Sequence, residues 1–222
     1  MALPEIHVVA GTTDAANELG PVAQALRLAG LLVPVLVAAG GDPAAVGAAF
    51  TELNLVADLT LPSAPALGLI ARFDRMWANR APAAVLVAGS DPAGLSAALA
   101  AAWRGIPVAH LGAGARSDDC APQGSGFSAP SEGPGAGINT AVDQESDARM
   151  ITQLARVHLI SRPIDAMNLL DEGVPAKDLM ISGDDTLAPR RAAQAVASMT
   201  GLAPPPAPMP VTVPTATVQF GG

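Results

Sequence analysis

Short apolar runs bounded by Gly, Pro and Asp alternate through this chain with longer Ala- and Leu-rich stretches of helical periodicity. Few folds accept that pattern. Strands too apolar to leave one face in water must be covered on both, which calls for parallel strands joined by crossover helices. Strands are expected at residues 6–10, 32–38, 83–88, 106–111, 157–160 and 179–182, with a weaker one at 58–61. Helices are expected at 15–28, 43–53, 67–79, 92–103, 143–155, 163–172 and 185–199. The fold class that follows is α/β, a doubly wound and mostly parallel sheet, as a single Rossmann-like domain over residues 1–200.

Local chemistry marks several boundaries. Asp42-Pro43 and Asp91-Pro92 each put a carboxylate at an N-cap and a proline at the first helical position. Gly30 suits a left-handed helix end. Val22, Leu26 and Ala29 are expected on one buried face of the first helix, and Leu67, Ile70, Phe73 and Trp77 on that of the third. Two segments break the rhythm: a long Gly/Ser/Pro-rich loop at 112–142 and a Pro-rich tail at 201–222. The tail alternates weakly from 211 to 220, in the manner of an edge strand. It suits a linker, a docking strand or a strap.

Half of the chain is hydrophobic and 14% charged, enough apolar material for a sizeable core. A net charge of −8 repels phosphate backbones, so nucleic acid is not an expected partner. Cys120 is the only cysteine, which excludes an internal disulfide and a cysteine-based metal site. Neither a leader-like start nor an apolar run long enough to span a bilayer is visible, so a cytoplasmic location is expected.

One family unites these motifs. Gly11-Thr12 after the first strand, 85–89 with the small-residue helix after it, Ile106-Pro107-Val108-Ala109-His110-Leu111 and then Ala113-Gly114-Ala115-Arg116 occur in order. Asn168-Leu169-Leu170 with Glu172-Gly173-Val174, and Ile181-Ser182-Gly183-Asp184, follow. In this order the segments resemble the N-terminal domain of the non-hydrolysing UDP-N-acetylglucosamine 2-epimerases over about residues 5 to 188. The resemblance implies a GT-B arrangement of two Rossmann-like domains, with the active site between them and the nucleotide held mostly by the second. That second domain has no counterpart in the resemblance, and is expected to be absent or supplied by another chain.

The family's chemistry, elimination and readdition of UDP with proton removal at the sugar C2, needs carboxylate acids and bases and cations near the diphosphate. This sequence departs from that pattern. Where the family has Arg-Pro-Glu after Gly-Thr, it has Thr13, Asp14 and Ala15; the family's following lysine is Glu18. The Asp after the central strand aligns with Ser90, one residue before Asp91, and the Glu of the EAG motif is Gly112. Glu145, near Asp147, most nearly matches a further family carboxylate, and Arg116 survives.

The catalytic candidates are therefore Asp91, Glu145 and His110, and the ligand-binding candidates Gly11, Thr12 and Arg116. Each has a structural alternative: Asp91 as a helix cap, Arg116 as a loop anchor, His110 as a hydrogen-bonded core histidine like His7 and His158. Asp118, Asp119 and Cys120 raise the thought of a metal, but adjacent carboxylates in a Gly-rich loop are ordinarily solvated, and neither metal nor cofactor is expected. The resulting expectation is a catalytically degenerate, epimerase-like domain acting as a structural or partner subunit, alone in an oligomer or with another protein. The alternative is half of a two-chain nucleotide-sugar enzyme, an epimerase or GT-B transferase, in which Asp91, Arg116 and Glu145 converge on one cleft. A stand-alone UDP-sugar sensor is a third possibility.

Overall fold

The computed structural model describes residues 3–116 and 140–202. Strands and helices alternate throughout: β1 (Glu5–Ala10), α1 (Thr13–Ala29), β2 (Val33–Ala38), α2 (Pro43–Glu52), β3 (Leu59–Thr60), α3 (Ala66–Asn79), β4 (Ala84–Ala88) and α4 (Pro92–Trp103). Then come β5 (Val108–Leu111), α5 (Thr140–Leu154), β6 (Val157–Ile160), α6 (Pro163–Asp171), β7 (Leu179–Ile181) and α7 (Ala188–Met199). All seven strands are parallel, in the order β3-β2-β1-β4-β5-β6-β7. The α/β doubly wound fold is thus as expected, with the order reversing between β1 and β4.

Burial explains why the strands lack alternation. Val8, Val9, Leu36, Val37 and all of β4 are inaccessible because both faces of the sheet are covered. On one face α1, α2 and α7 close a core around Leu19, Leu26, Leu36 and Phe50. On the other, α3, α4 and α5 pack around Leu69, Phe73, Trp77 and Ile151. Helix α4 supplies Ala97, Ala98, Ala100 and Ala101 to that layer, side chains small enough to let it sit close to the sheet.

The caps form as their chemistry requires. Asp42 Oδ1 accepts from the Ala45 amide at 3.0 Å, and Gly30 ends α1 with φ 65°. Two expected faces need correction. Ala29 is exposed, because the last turn of α1 borders an open surface groove against α7 that Ala25 and Ala193 also line. Leu67 is 81% exposed and Leu69 takes its place, so α3 buries Leu69, Phe73 and Trp77 at i, i+4, i+8. Helix α7 begins at Ala188 and not near 185, because Asp185 is held in the preceding turn by the Leu187 amide and by Arg191. The expected strand character of 211–220, Asp118, Asp119 and Cys120 lie outside the described residues.

Candidate functional site

Parallel α/β sheets bind ligands beyond the carboxyl ends of their strands, where the strand order reverses. Here that place is the crevice between the β1–α1 and β4–α4 turns. It holds a pocket of about 500 Å³ lined by Thr12, Asp14, Glu18, Ser90, Asp91 and Asp147, among others. A second pocket of about 570 Å³ adjoins it over the ends of β5 to β7, and Glu18 and Gly89 line both.

Asp91 is the most constrained group in the crevice. Its Oδ1 accepts from the backbone amides of Ala93 at 2.7 Å and Gly94 at 2.8 Å, opening α4. Its Oδ2 is buried without a hydrogen-bond partner among the described residues. Burial pushes the carboxyl above its usual range, against the pull of those backbone amides, and the charge of Asp147 pushes the same way. Gly11 is part of the same construction. A Cβ there would lie 2.0 Å from Asp91 Oδ1, and Gly40 closes in from the other side, where a Cβ would meet the Gly11 carbonyl oxygen at 2.3 Å. Thr12 caps α1, its Oγ1 accepting from the Ala15 amide at 3.1 Å. Gly11 and Thr12 therefore hold the turn in shape, and Asp91 caps a helix while facing the pocket.

His110 lies beneath the crevice. Its Nε2 is 2.8 Å from the Gly89 carbonyl oxygen, which can only accept, so Nε2 carries the proton. Nδ1 is then the acceptor, with the Thr152 hydroxyl 3.5 Å away. Burial lowers the imidazole pKa to about 4, so the ring is neutral at pH 7. His7 accepts from the Trp77 indole N–H at 3.0 Å, and His158 pairs with His110 across the β5–β6 ladder.

Arg116 and Glu145 sit elsewhere. Arg116 donates to Glu172 at 2.9 Å, Arg149 lies 3.4 Å from the same carboxylate, and Arg149 also donates to Glu145 at 2.6 Å. This chain of charges ties the segment after β5 to α5 and α6. The structure does not bring Arg116 or Glu145 to Asp91: those two line a small separate depression, whereas Asp147 is the α5 carboxylate in the crevice. Residues two apart on a helix point about 200° apart, so Glu145 and Asp147 cannot face the same way. Asp147 is one turn before Ile151, which is fully buried, and that spacing was the signal for the inward position.

The crevice is electrostatically one-sided. Asp14, Glu18, Asp91 and Asp147 all line it, and among the described residues no Lys or Arg does. Burial, reinforced by Asp14, raises the Glu18 carboxyl above its usual range. Among the described residues no group of three or more His, Cys, Asp or Glu side chains is placed to hold a metal ion, and no helix is long and apolar enough to cross a membrane.

Residues 51–123 match the family model for UDP-N-acetylglucosamine 2-epimerase. Among solved structures the fold matches a Staphylococcus aureus MnaA–UDP complex at 19% identity and a TM-score of 0.69, over 89% of this chain and 48% of that one. A Neisseria meningitidis UDP-GlcNAc 2-epimerase bound to UDP-GlcNAc matches at 19% identity and TM-score 0.67, over 89% and 50%. A Rickettsia bellii UDP-N-acetylglucosamine 2-epimerase matches at 21% identity and TM-score 0.62, over 91% and 52%. No curated protein sequence matches the chain. The resemblance read from the motifs therefore holds: this is an epimerase-like Rossmann domain, spanning about half the length of the structures it matches.

Proposed function

We propose that this chain is a catalytically degenerate, UDP-N-acetylglucosamine 2-epimerase-like domain that works as a structural or partner subunit of an assembly. One observation carries the reading. Of the positions at which the sequence departs from the family's charge pattern, Asp14, Ala15, Glu18 and Ser90 gather around the same pocket at the topological switch point, while Thr13 is not among its lining residues. Gly112 stands beside it, where a Cβ would lie 3.7 Å from Glu18 Oε2. The pocket thus presents carboxylates where diphosphate chemistry needs cations.

The second reading, half of a two-chain nucleotide-sugar enzyme, has its own support. Asp91 and Asp147 are two carboxylates in one crevice, and burial, with a smaller contribution from Asp147, raises the Asp91 carboxyl above its usual range. On this reading the cations come from a separate chain.

Thermal unfolding of the purified chain with millimolar UDP-GlcNAc or UDP tests both, since a ligand bound to the native state raises its stability by mass action. The degenerate reading expects no shift in Tm; a shift of several degrees with either nucleotide overturns it. Mass measurement of the complex purified from the native source, assayed for epimerisation, then separates the two. A partnered complex without activity upholds the subunit reading, and activity in the complex upholds the two-chain enzyme.

A further inference from the structure

Two cavities meet over the carboxyl ends of the strands, and they differ in chemistry. The crevice of about 500 Å³ between the β1–α1 and β4–α4 turns is lined by Asp14, Glu18, Asp91 and Asp147. Its neighbour, about 570 Å³ over the ends of β5 to β7, is walled mainly by apolar groups, with Pro21, Val22, Leu111, Pro189 and Ala192 among them. Glu18 stands at the junction, and Gly89, with φ 63°, lines both cavities without a side chain to divide them. Each is of the size that holds a small ligand, roughly 300–1,000 Å³.

The acidic half is short of positive charge. Among the described residues no arginine or lysine pairs with Asp14, Glu18 or Asp91. Burial, reinforced by Asp14, holds the Glu18 carboxyl above its usual range. Asp91 is only 8% exposed, and its Oδ2 has no donor among the described residues. A buried carboxylate oxygen without a donor is costly, and calls for a partner that the chain itself does not supply. The apolar half is in a different state. Arg162, the one cation lining it among the described residues, is held by Asp165 at 2.6 Å, and Asp185 is held by Arg191 at 2.9 Å. Of the carboxylates there, only Glu18 and the exposed Asp184 lack an arginine among the described residues.

We propose that the joined cavities bind an aliphatic cation, with an ammonium or guanidinium group among the four carboxylates and its hydrocarbon stem along Pro21, Val22 and Leu111. Such a group brings N–H donors and positive charge together, which a neutral or anionic ligand does not. Lysine and arginine side chains combine the same apolar stem and charged head. The group therefore has two sources, a free alkylamine or a basic side chain presented by a partner subunit. This inference deepens the subunit reading and rests on it, since a pocket built for a diphosphate needs cations on its own walls.

Thermal unfolding of the full chain with hexylammonium, with a terminally blocked Leu-Lys-Leu peptide and with UDP tests it. Hexanol and hexanoate serve as the neutral and anionic counterparts of the amine. At about 10 mM, hexylammonium or the peptide is expected to raise the Tm by about 2–5 °C, and hexanol and hexanoate are not. Glu18→Gln and Asp14→Asn, both at exposed positions, should each weaken the affinity about threefold or more in calorimetric titration, without lowering the Tm of the free protein by more than about 2 °C. A shift with the amine alone assigns a free amine as the ligand, and a shift at least as large with the peptide assigns a partner's side chain. No shift with either cation overturns the inference, as does an equal shift with hexanol, or an affinity unchanged in both variants. The UDP arm keeps the two readings apart. A shift with UDP overturns the subunit reading and this inference with it, whereas no shift with UDP or with either cation overturns this inference alone.

Discussion

Lowering the pH loads the buried imidazole of His110 in a way that can be calculated. Its pKa falls from 6.5 to about 4 in the folded protein, chiefly because burial penalises the cation, with the neighbouring His158 acting in the same direction and the hydrogen bond to Gly89 opposing. A depressed folded pKa means that the unfolded chain binds the proton first. The stabilisation from the neutral ring is complete above about pH 6.5 and is lost as pH falls toward 4. Between about pH 7.5 and pH 5, linkage with these two pKa values gives a loss of about 2 kcal/mol, out of the roughly 5–15 kcal/mol that holds a domain together. Other groups titrate over the same range. His7 and His158, also depressed by burial, add to the loss, whereas Asp91 and Glu18, whose folded pKa values are raised, favour the folded state as pH falls. Comparison with His110→Gln removes these contributions, because both proteins carry them. Urea unfolding followed by circular dichroism at the two pH values should show the wild type losing about 2 kcal/mol more than the variant. Equal losses in the two proteins would refute the assignment of a neutral, proton-donating His110.

Other perturbations give contrasting outcomes. Gly11→Ala puts a methyl 2.0 Å from Asp91 Oδ1 and 2.5 Å from the Ala93 side chain, so equilibrium unfolding should show a loss of about 1–3 kcal/mol, the usual cost of overpacking. Trp77→Phe keeps the stack on Phe73, at 5.1 Å between ring centroids, but strips the His7 acceptor of its donor; about 1–3 kcal/mol should be lost, while Trp103→Phe on the exposed end of α4 changes stability by no more than about 0.5 kcal/mol. Arg116→Ala breaks a partly solvated pair with Glu172, and denaturant titration should register about 1 kcal/mol or less.

How far the sequence reaches depends on whether a position is set by local or by tertiary physics. The Asp-Pro caps, the Gly30 helix end and the aliphatic strands need only their neighbours, and all were readable. Leu67 and Leu69 differ in burial because α3 packs on α4 at an angle that four apolar residues in a helical stretch do not specify. The same limit applies at the crevice. Asp91 was visible as a cap, but that Gly11 yields its Cβ space to the Asp91 carboxylate depends on β1 and β4 being neighbours, although 73 residues separate β1 from β4 in the chain. Arg116 and Glu145 have the charge a ligand site needs. Their partners, Glu172 and Arg149, satisfy that charge first, and sequence spacing gives no sign of the Arg116–Glu172 pairing.

The acidity of the crevice bears on what could enter it. A charge on a diphosphate about 5 Å from a single carboxylate meets roughly 3 kcal/mol of repulsion at an effective dielectric near 20. Four carboxylates line this pocket, and burial, reinforced by Asp14 at Glu18 and by Asp147 at Asp91, already raises the proton affinities of Glu18 and Asp91. A cation from a partner would relieve that repulsion, whereas an added anion would increase it. This asymmetry favours an occupant that is neutral or positively charged over a nucleotide diphosphate. Glu18→Lys therefore makes a sharp test, because it restores the sign that the family resemblance places in this helix. If the charge pattern is what keeps UDP out, the variant should gain a measurable Tm increase with millimolar UDP where the wild type has none. A wild type that binds UDP as well as the variant would show that the carboxylates do not govern access.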